Sequence, residues 1–113
     1  IFVDTNFDLY VADSNNNRIQ LFPANQALAR TVPMTGSSGT WTLNNPRAVI
    51  MDGDGYLFVS DTENHRILGS GPDGFRCIIG CGGGGSATNQ LDSPHAISFD
   101  SIGNLFVVDR DNS

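Results

Sequence analysis

Carboxylates recur at a fixed interval along the chain and are the first candidates for chemistry. Asp13, Asp61 and Asp109 stand 48 residues apart, each at the end of an apolar run. A ring of repeated carboxylates could hold calcium. We favour a structural interpretation, in which each Asp accepts backbone N–H bonds in the turn that follows and pairs with the Arg of its own unit, Arg18 or Arg66. A residue that every copy of a repeat requires is better suited to building the repeat than to chemistry.

The chain has two cysteines, Cys77 and Cys81, in the stretch RCIIGCGGGG. Three intervening residues match no strong metal-binding spacing. Two interpretations remain, a pair of buried free thiols or a short-loop disulfide formed in an oxidising compartment. We favour the disulfide because the glycines after Cys81 allow the chain to turn back, although so small a loop contributes little stability by chain entropy.

Composition argues against several functional classes. The formal net charge is −6 and the chain has no lysine. Nucleic-acid binding needs a basic surface, so we predict no nucleic-acid partner. No apolar run approaches the ~18 residues of a membrane span, and we expect no membrane insertion. The sequence contains no P-loop, no HExxH motif and no Ser–His–Asp order, and it predicts no cofactor.

These residues are positioned by an internal repeat with a period of 48 residues and no gaps. Each unit predicts four short strands bounded by Gly, Asp, Asn or Pro. The first predicted strand covers residues 48–52 and 96–100, and the second covers 57–61 and its equivalent from Leu105. The third covers 18–22 and 66–70, and the fourth covers 27–32 and 75–80. Runs such as LFVV are apolar on both faces, which is typical of strands covered on both sides.

One turn is expected to break the pattern. The first hairpin of the second and third units contains Gly55 and Gly103, and glycine supplies the positive φ that such turns need. Phe7 stands at the same position in the first unit. We therefore predict a turn of different shape there.

The pattern P-x-A-I-x-x-D-x-x-G-x-L-F-V-x-D-x-x-N-x-R-I resembles the NHL repeat, a family of β-propeller blades. The middle unit carries it from Pro46 to Ile67, and the last unit from Pro94 to Asn112. The resemblance implies an all-β chain, an NHL-type β-propeller in the form of an open arc of four-stranded antiparallel blades. Rings of this family usually close with about six blades.

The period divides the arc into about two and a third blades. Residues 1–48 and 49–96 each supply one, and residues 97–113 supply the first two strands of a third. We expect the chain to be a fragment of a longer polypeptide. The remaining blades would come from the same chain or from neighbouring copies, because an open sheet edge tends to pair.

Three further residues are candidates for function. Arg47 and His95 occupy the same place in consecutive units, between the proline and the first strand. The resemblance places them at the mouth of the central channel, where NHL-like lyases that amidate peptides hold zinc through histidines of several blades. His95 fits such a ligand and Arg47 does not, since a guanidinium is no zinc ligand. Trp41, between the first two units, either contacts a partner or a sugar or fills the gap between blades.

Fold alone does not assign function. The first hypothesis is a non-catalytic NHL β-propeller module for protein or glycan interaction, or for structural assembly, within a larger extracellular protein. The acidic, lysine-free composition and the expected disulfide favour a secreted location. The alternative is a metal-dependent NHL-like enzyme of the lyase or lactonase type with its site in the channel. An RNA-binding NHL domain would require a basic face, which this chain lacks.

Overall fold

The computed structural model describes residues 1–25, 28–37, 39–81 and 93–109. Within these ranges the chain is all-β, and every paired strand is antiparallel to its neighbour. Two single 3₁₀ turns, Ser14–Asn16 and Thr62–Asn64, are the helical elements of the described chain, and none of it forms a helix long and apolar enough to cross a membrane.

Three sheets contain all twelve strands of the described chain. The first sheet has the order β1-β2-β3-β4, with strands Phe2–Val3, Leu9–Asp13, Arg18–Phe22 and Arg30–Thr31. The second sheet has the order β6-β5-β10-β9-β8-β7; from β5 to β10 its strands are Thr35–Gly36, Gly39–Thr40, Ala48–Met51, Leu57–Asp61, Arg66–Gly71 and Gly74–Ile79. The third sheet pairs β11, Pro94–Phe99, with β12, Leu105–Asp109.

The second sheet is wider than the four strands predicted, because the hairpin β5–β6 joins its outer edge. Gly36 in β5 pairs with Gly74 in β10. A Cβ atom on Gly36 would overlap the carbonyl oxygen of Phe75, so this close approach of two backbones requires glycine. The Ser- and Thr-rich stretch that precedes β7 therefore contributes strands to the next sheet along the chain.

The first hairpin of each unit is organised by one aspartate. The Oδ1 atoms of Asp4, Asp52 and Asp100 each accept the backbone N–H groups two and four residues ahead, at 2.8–3.0 Å. The Asn104 amide also donates to Asp100, and these bonds lower the pKa of the Asp100 carboxyl. The three turns are thus held in the same way by the same carboxylate.

The prediction that the turn at Phe7 differs in shape is wrong. The Phe7 N–H donates to the carbonyl of Asp4 at 3.0 Å, as Gly55 N–H donates to that of Asp52 at 3.2 Å. Phe7 takes a φ of 64°, and Gly55 takes 86°. The turn tolerates a side chain because that of Phe7 points into solvent, with 77% of the residue exposed. The cost is a non-glycine residue in the left-handed region.

The hydrophobic core lies between the stacked sheets and covers both faces of the second sheet. Toward the first sheet the buried cluster contains Ile19, Met34, Leu43, Val49, Leu57, Val59, Leu68 and Phe75. Toward the third sheet it contains Ile67 and Ile97, with Phe58 and Phe99 in edge-to-face contact at 5.2 Å between ring centroids. The second unit therefore has the two covered faces that its apolar strands predict.

Two hydrogen bonds repeat at each seam, a seam being the junction between consecutive sheets. Ser14 Oγ donates to the carbonyl of Pro46 at 2.6 Å at the first seam. At the second seam Thr62 Oγ1 donates to the carbonyl of Pro94, also at 2.6 Å. The donor follows β2 or β8, and the acceptor immediately precedes or begins the first strand of the next unit. The period of the sequence is thus also a period of contacts.

The second of the two repeated hydrogen bonds is made by Asn17 at the first seam and by His65 at the second. Asn17 Oδ1 accepts the Asn45 N–H at 2.8 Å, and His65 Nδ1 accepts the Ser93 N–H at 2.9 Å. Asn17 and His65 both have φ of 54°. His65 is half-buried and joins two units through this bond.

We predict that Phe7→Gly stabilises the protein by up to about 1 kcal/mol. The left-handed conformation costs a non-glycine residue roughly 1–2 kcal/mol, which glycine avoids. Glycine in turn loses more conformational entropy on folding, which offsets roughly 0.5–1 kcal/mol of the gain. Urea denaturation measures the difference. Phe7→Ala is the control, since it removes the ring and keeps the strained conformation. An equal gain in both variants would assign the effect to the exposed ring instead.

We predict that His65→Ala lowers the free energy of unfolding by about 1–2 kcal/mol, because the Ser93 N–H loses its acceptor. His65→Asn should recover most of this loss, since Asn17 makes the equivalent bond and Asn tolerates positive φ. Thermal and urea denaturation of the two variants provide the test. If Asn is as damaging as Ala, other contacts of the imidazole outweigh this hydrogen bond.

Candidate functional site

The buried carboxylate of Asp61 organises the end of β8. Its Oδ2 accepts from Arg66 Nε at 2.7 Å and from Asn64 Nδ2 at 3.0 Å. Its Oδ1 accepts the backbone N–H of Asn44 at 2.7 Å. The predicted pairing with Arg66 is confirmed, whereas the backbone donor lies in the segment before β7 and not in the turn that follows Asp61. The carboxylate therefore ties that segment to the end of β8.

The first unit contains the same arrangement, in which the side chains are more exposed to solvent. Asp13 Oδ2 accepts from Arg18 Nε at 2.9 Å and from Asn16 Nδ2 at 3.0 Å. The Asn16 and Arg18 donors lower the pKa of the Asp13 carboxyl. The side chains of Asp13 and Arg18 are 26% and 40% exposed, against 0% and 21% for Asp61 and Arg66. The motif is the same in both units, but only the second copy is buried.

A cleft of about 590 Å³ opens beside this motif, at the seam between the first and second sheets. Leu43, which is buried, lies at its base. The side chains that surround it are mostly polar and neutral. They include Asn17, Trp41, Thr42, Asn44, Asn64 and Arg66.

Trp41 forms one wall of the cleft and is held in place by two contacts. Its indole Nε1–H donates to the carbonyl of Phe75 at 3.0 Å. The Arg66 guanidinium lies over the ring, 5.0 Å from its centroid, in a cation–π contact. Trp41 is half-buried and packs against the larger core cluster. It fills the seam, and its exposed part lines the cleft.

A single carbonyl oxygen, next to Trp41 in the chain, fixes two polar side chains of the cleft. The Thr42 carbonyl accepts from Arg66 Nη2 at 3.0 Å and from Asn64 Nδ2 at 3.1 Å. Asn64 and Arg66 are also bonded to Asp61. Each side chain is thus held at two points, and its remaining polar atoms face the cleft in a set orientation.

The predicted channel-mouth residues lie at equivalent ends of two strands. Arg47 precedes β7, is exposed, and donates its backbone N–H to the carbonyl of Ser60 at 3.2 Å. His95 lies within β11, one residue into the strand, because that strand begins at Pro94. Its Nδ1 is 3.0 Å from the carbonyl oxygen of Ser93. Among the described residues, no three His, Cys, Asp or Glu side chains are grouped so that they could hold a metal ion.

The predicted disulfide between Cys77 and Cys81 is present, with Cα atoms 5.8 Å apart. It connects β10 to the residue just beyond its end. Gly80, inside the loop, takes a φ of 79°, and a Cβ atom there would overlap the carbonyl oxygen of His65. The loop therefore packs closely against the turn at His65, whose side chain accepts the hydrogen bond from the Ser93 N–H.

Sequence reasoning identified Trp41 but missed the cleft. Thr42, Asn44 and Asn64 are common surface residue types, and their convergence depends on the positions of two sheets. One signal was available: Trp41 and Thr42 stand opposite Asn89 and Gln90 in the alignment of units. The lining of the cleft departs from the repeat at these two positions, whereas Asn64 and Arg66 have counterparts in Asn16 and Arg18.

A scan against protein-family models finds no match, and no curated protein is significantly similar to the chain. The likeness to the NHL repeat therefore rests on the residues of the repeat themselves.

We predict that Asp61→Ala destabilises the protein by about 3–5 kcal/mol, the cost of removing one partner from a buried ion pair. The substitution leaves the Arg66 guanidinium without its carboxylate and the Asn44 N–H without an acceptor. Asp13→Ala is the matched control within this chain and should cost much less, because the Asp13 and Arg18 side chains are 26% and 40% exposed here. Chemical denaturation of both variants measures the difference. Equal losses would show that burial of the pair is not what matters.

Proposed function

We propose that the chain is part of a non-catalytic β-propeller module of the NHL type, which binds a partner through the cleft beside Trp41. The module would belong to a larger extracellular protein. Its repeated polar residues build the framework and part of the cleft, to which Trp41 and Thr42 add residues that depart from the repeat.

Three features support the propeller. Antiparallel sheets follow one another along the chain and stack face to face. The same two hydrogen bonds join consecutive sheets at each seam. Both faces of the second sheet are covered by its neighbours, as in a blade within a ring. Further units joined by the same seam bonds would continue the arc.

One observation carries the proposal for function. The repeated Asp, Asn and Arg side chains bond to one another inside each unit, as Asp61, Asn64 and Arg66 do. They serve the framework, and Asn64 and Arg66 also line the cleft. Trp41 and Thr42, by contrast, depart from the repeat and line a cleft. A repeated scaffold that carries non-repeated residues around a concave site is the arrangement expected of a binding module.

An extracellular location is supported by covalent chemistry and by charge. The Cys77–Cys81 disulfide is typical of an oxidising compartment. A net charge of −6 and the absence of lysine disfavour binding to acidic cell surfaces and to nucleic acids.

We predict that Thr42→Arg abolishes partner binding by filling the cleft, since the Thr42 side chain is exposed and its backbone contacts can persist. Thr5→Arg adds the same charge in the first turn of the first sheet, outside the cleft, and should bind normally. The immobilised native full-length protein and both variants would be exposed to the extracellular fraction of the source organism, and retained molecules identified by mass spectrometry.

Two results would contradict the proposal. A partner retained equally by Thr42→Arg would place binding outside the cleft. Stoichiometric zinc in the native protein, together with turnover of a lactone or of a peptide amidation intermediate, would favour the metal-dependent enzyme.

A further inference from the structure

The cleft beside Trp41 is electrically balanced. Among the described residues that line it, Arg66 is the one with a charged side chain, and its Nε lies 2.7 Å from the buried Asp61 carboxylate. Glu63 is close by along the chain, with its Oε1 3.3 Å from the Asn45 amide nitrogen. A net anion or cation in the cleft would therefore meet little complementary charge. The site is suited to a neutral ligand.

The cleft nevertheless presents several polar atoms that have no partner within the described chain. Both donors and acceptors occur among them. They are the Asn44 side-chain amide, the Thr42 hydroxyl, Asn64 Oδ1, Asn17 Nδ2 and Arg66 Nη1. A ligand that satisfies such a wall must both donate and accept hydrogen bonds at short intervals.

We infer that this cleft binds a neutral polyhydroxylated ligand, with the chemistry of an uncharged glycan. A hydroxyl group both donates and accepts, so a row of hydroxyls matches a wall of amides, hydroxyls and a guanidinium edge. The cleft, of about 590 Å³, is wide open to solvent, which suits a ligand whose hydroxyls remain partly hydrated. The inference rests on the proposed function, because it takes the same cleft as the binding surface and names its ligand class.

The walls are organised before any ligand arrives. Asn64 and Arg66 are each bonded both to Asp61 and to the Thr42 carbonyl. Trp41 is bonded to the Phe75 carbonyl. Binding therefore immobilises few additional rotamers on this wall, which favours affinity from a small number of hydrogen bonds.

The position of Trp41 determines how the ligand is recognised. Arg66 covers one face of the indole ring, and the residue packs against the core. The ligand can therefore contact the exposed apolar edge of the ring, and hydrogen bonds supply most of the specificity. Removal of a single polar side chain should therefore weaken binding more in this cleft than in a site where aromatic stacking supplies most of the affinity.

Trp41, the single tryptophan of this chain, gives the experiment its probe, and a Trp41→Phe variant identifies its share of the fluorescence of the full-length protein. Intrinsic fluorescence of the native full-length protein would be followed during titration with neutral hexasaccharides of glucose and of N-acetylglucosamine, and with a sulfated hexasaccharide. We expect a saturable change with at least one neutral hexasaccharide. Asn44→Leu combined with Thr42→Val should weaken that affinity at least tenfold, because two sets of hydrogen bonds are lost.

Matched controls share the chemistry of these substitutions but lie outside the cleft. Asn15→Leu and Thr5→Val alter exposed residues that do not line it, and should leave affinity within about twofold. If the double variant does not fold, ¹H–¹⁵N spectra of the wild type decide the question. The Trp41 indole signal and the Asn44 and Asn64 side-chain signals should shift on addition of the sugar.

Three outcomes would overturn the inference: no response to any neutral hexasaccharide, binding of the sulfated one alone, or spectral shifts confined to other surfaces. Capture of a protein partner that Thr42→Arg abolishes, without any sugar response, would refute the glycan and leave the proposed function standing. Conversely, a neutral sugar that binds in the cleft and is chemically converted would keep the site and refute a non-catalytic role.

Discussion

The Asp61 carboxylate is the interaction on which the second sheet and the cleft both depend. It is completely buried, and its cost of desolvation is offset by three hydrogen bonds, two of them from side chains of its own unit. The third, from the Asn44 N–H, holds the segment that carries Trp41 against the end of β8. Framework and candidate site are therefore linked through one buried charge.

The two copies of this motif show how context alters identical chemistry. Asp13 and Arg18 make the same bonds as Asp61 and Arg66 but remain accessible to water. Surface ion pairs of this kind contribute little, because solvent competes for both partners. Residues 41–44 cover Asp61 and Arg66, through the Asn44 N–H, the Thr42 carbonyl and the Trp41 ring. The positions that would correspond for Asp13 and Arg18 lie before residue 1. The burial of the Asp61 copy therefore depends on the segment that precedes its unit.

Much of the fold could be predicted because the repeat encodes it locally. The spacing of Asp13 and Asp61 from their arginines, and the short apolar runs between turn residues, predict the ion pairs and the strands. The Cys77–Cys81 disulfide also follows from a short stretch of chain. The hairpin β5–β6 could not be predicted in this way, since its two-residue strands are Gly- and Thr-rich and show no alternation. Phe7 misled for a related reason, because the Asp4 carboxylate, and not glycine, determines that turn.

The hairpin β5–β6 changes where the chain can be divided. It lies before β7 in sequence but completes the outer edge of the second sheet. A truncation at residue 48 would separate that sheet from its last two strands and from Trp41, and would expose the paired edge of β10. A division near Pro33, between β4 and β5, keeps the hairpin with the sheet it belongs to, although Met34 would then stand at the new terminus. Transplanting or recombining single units of this protein should therefore respect contacts across space, and not the boundaries that the period of the sequence suggests.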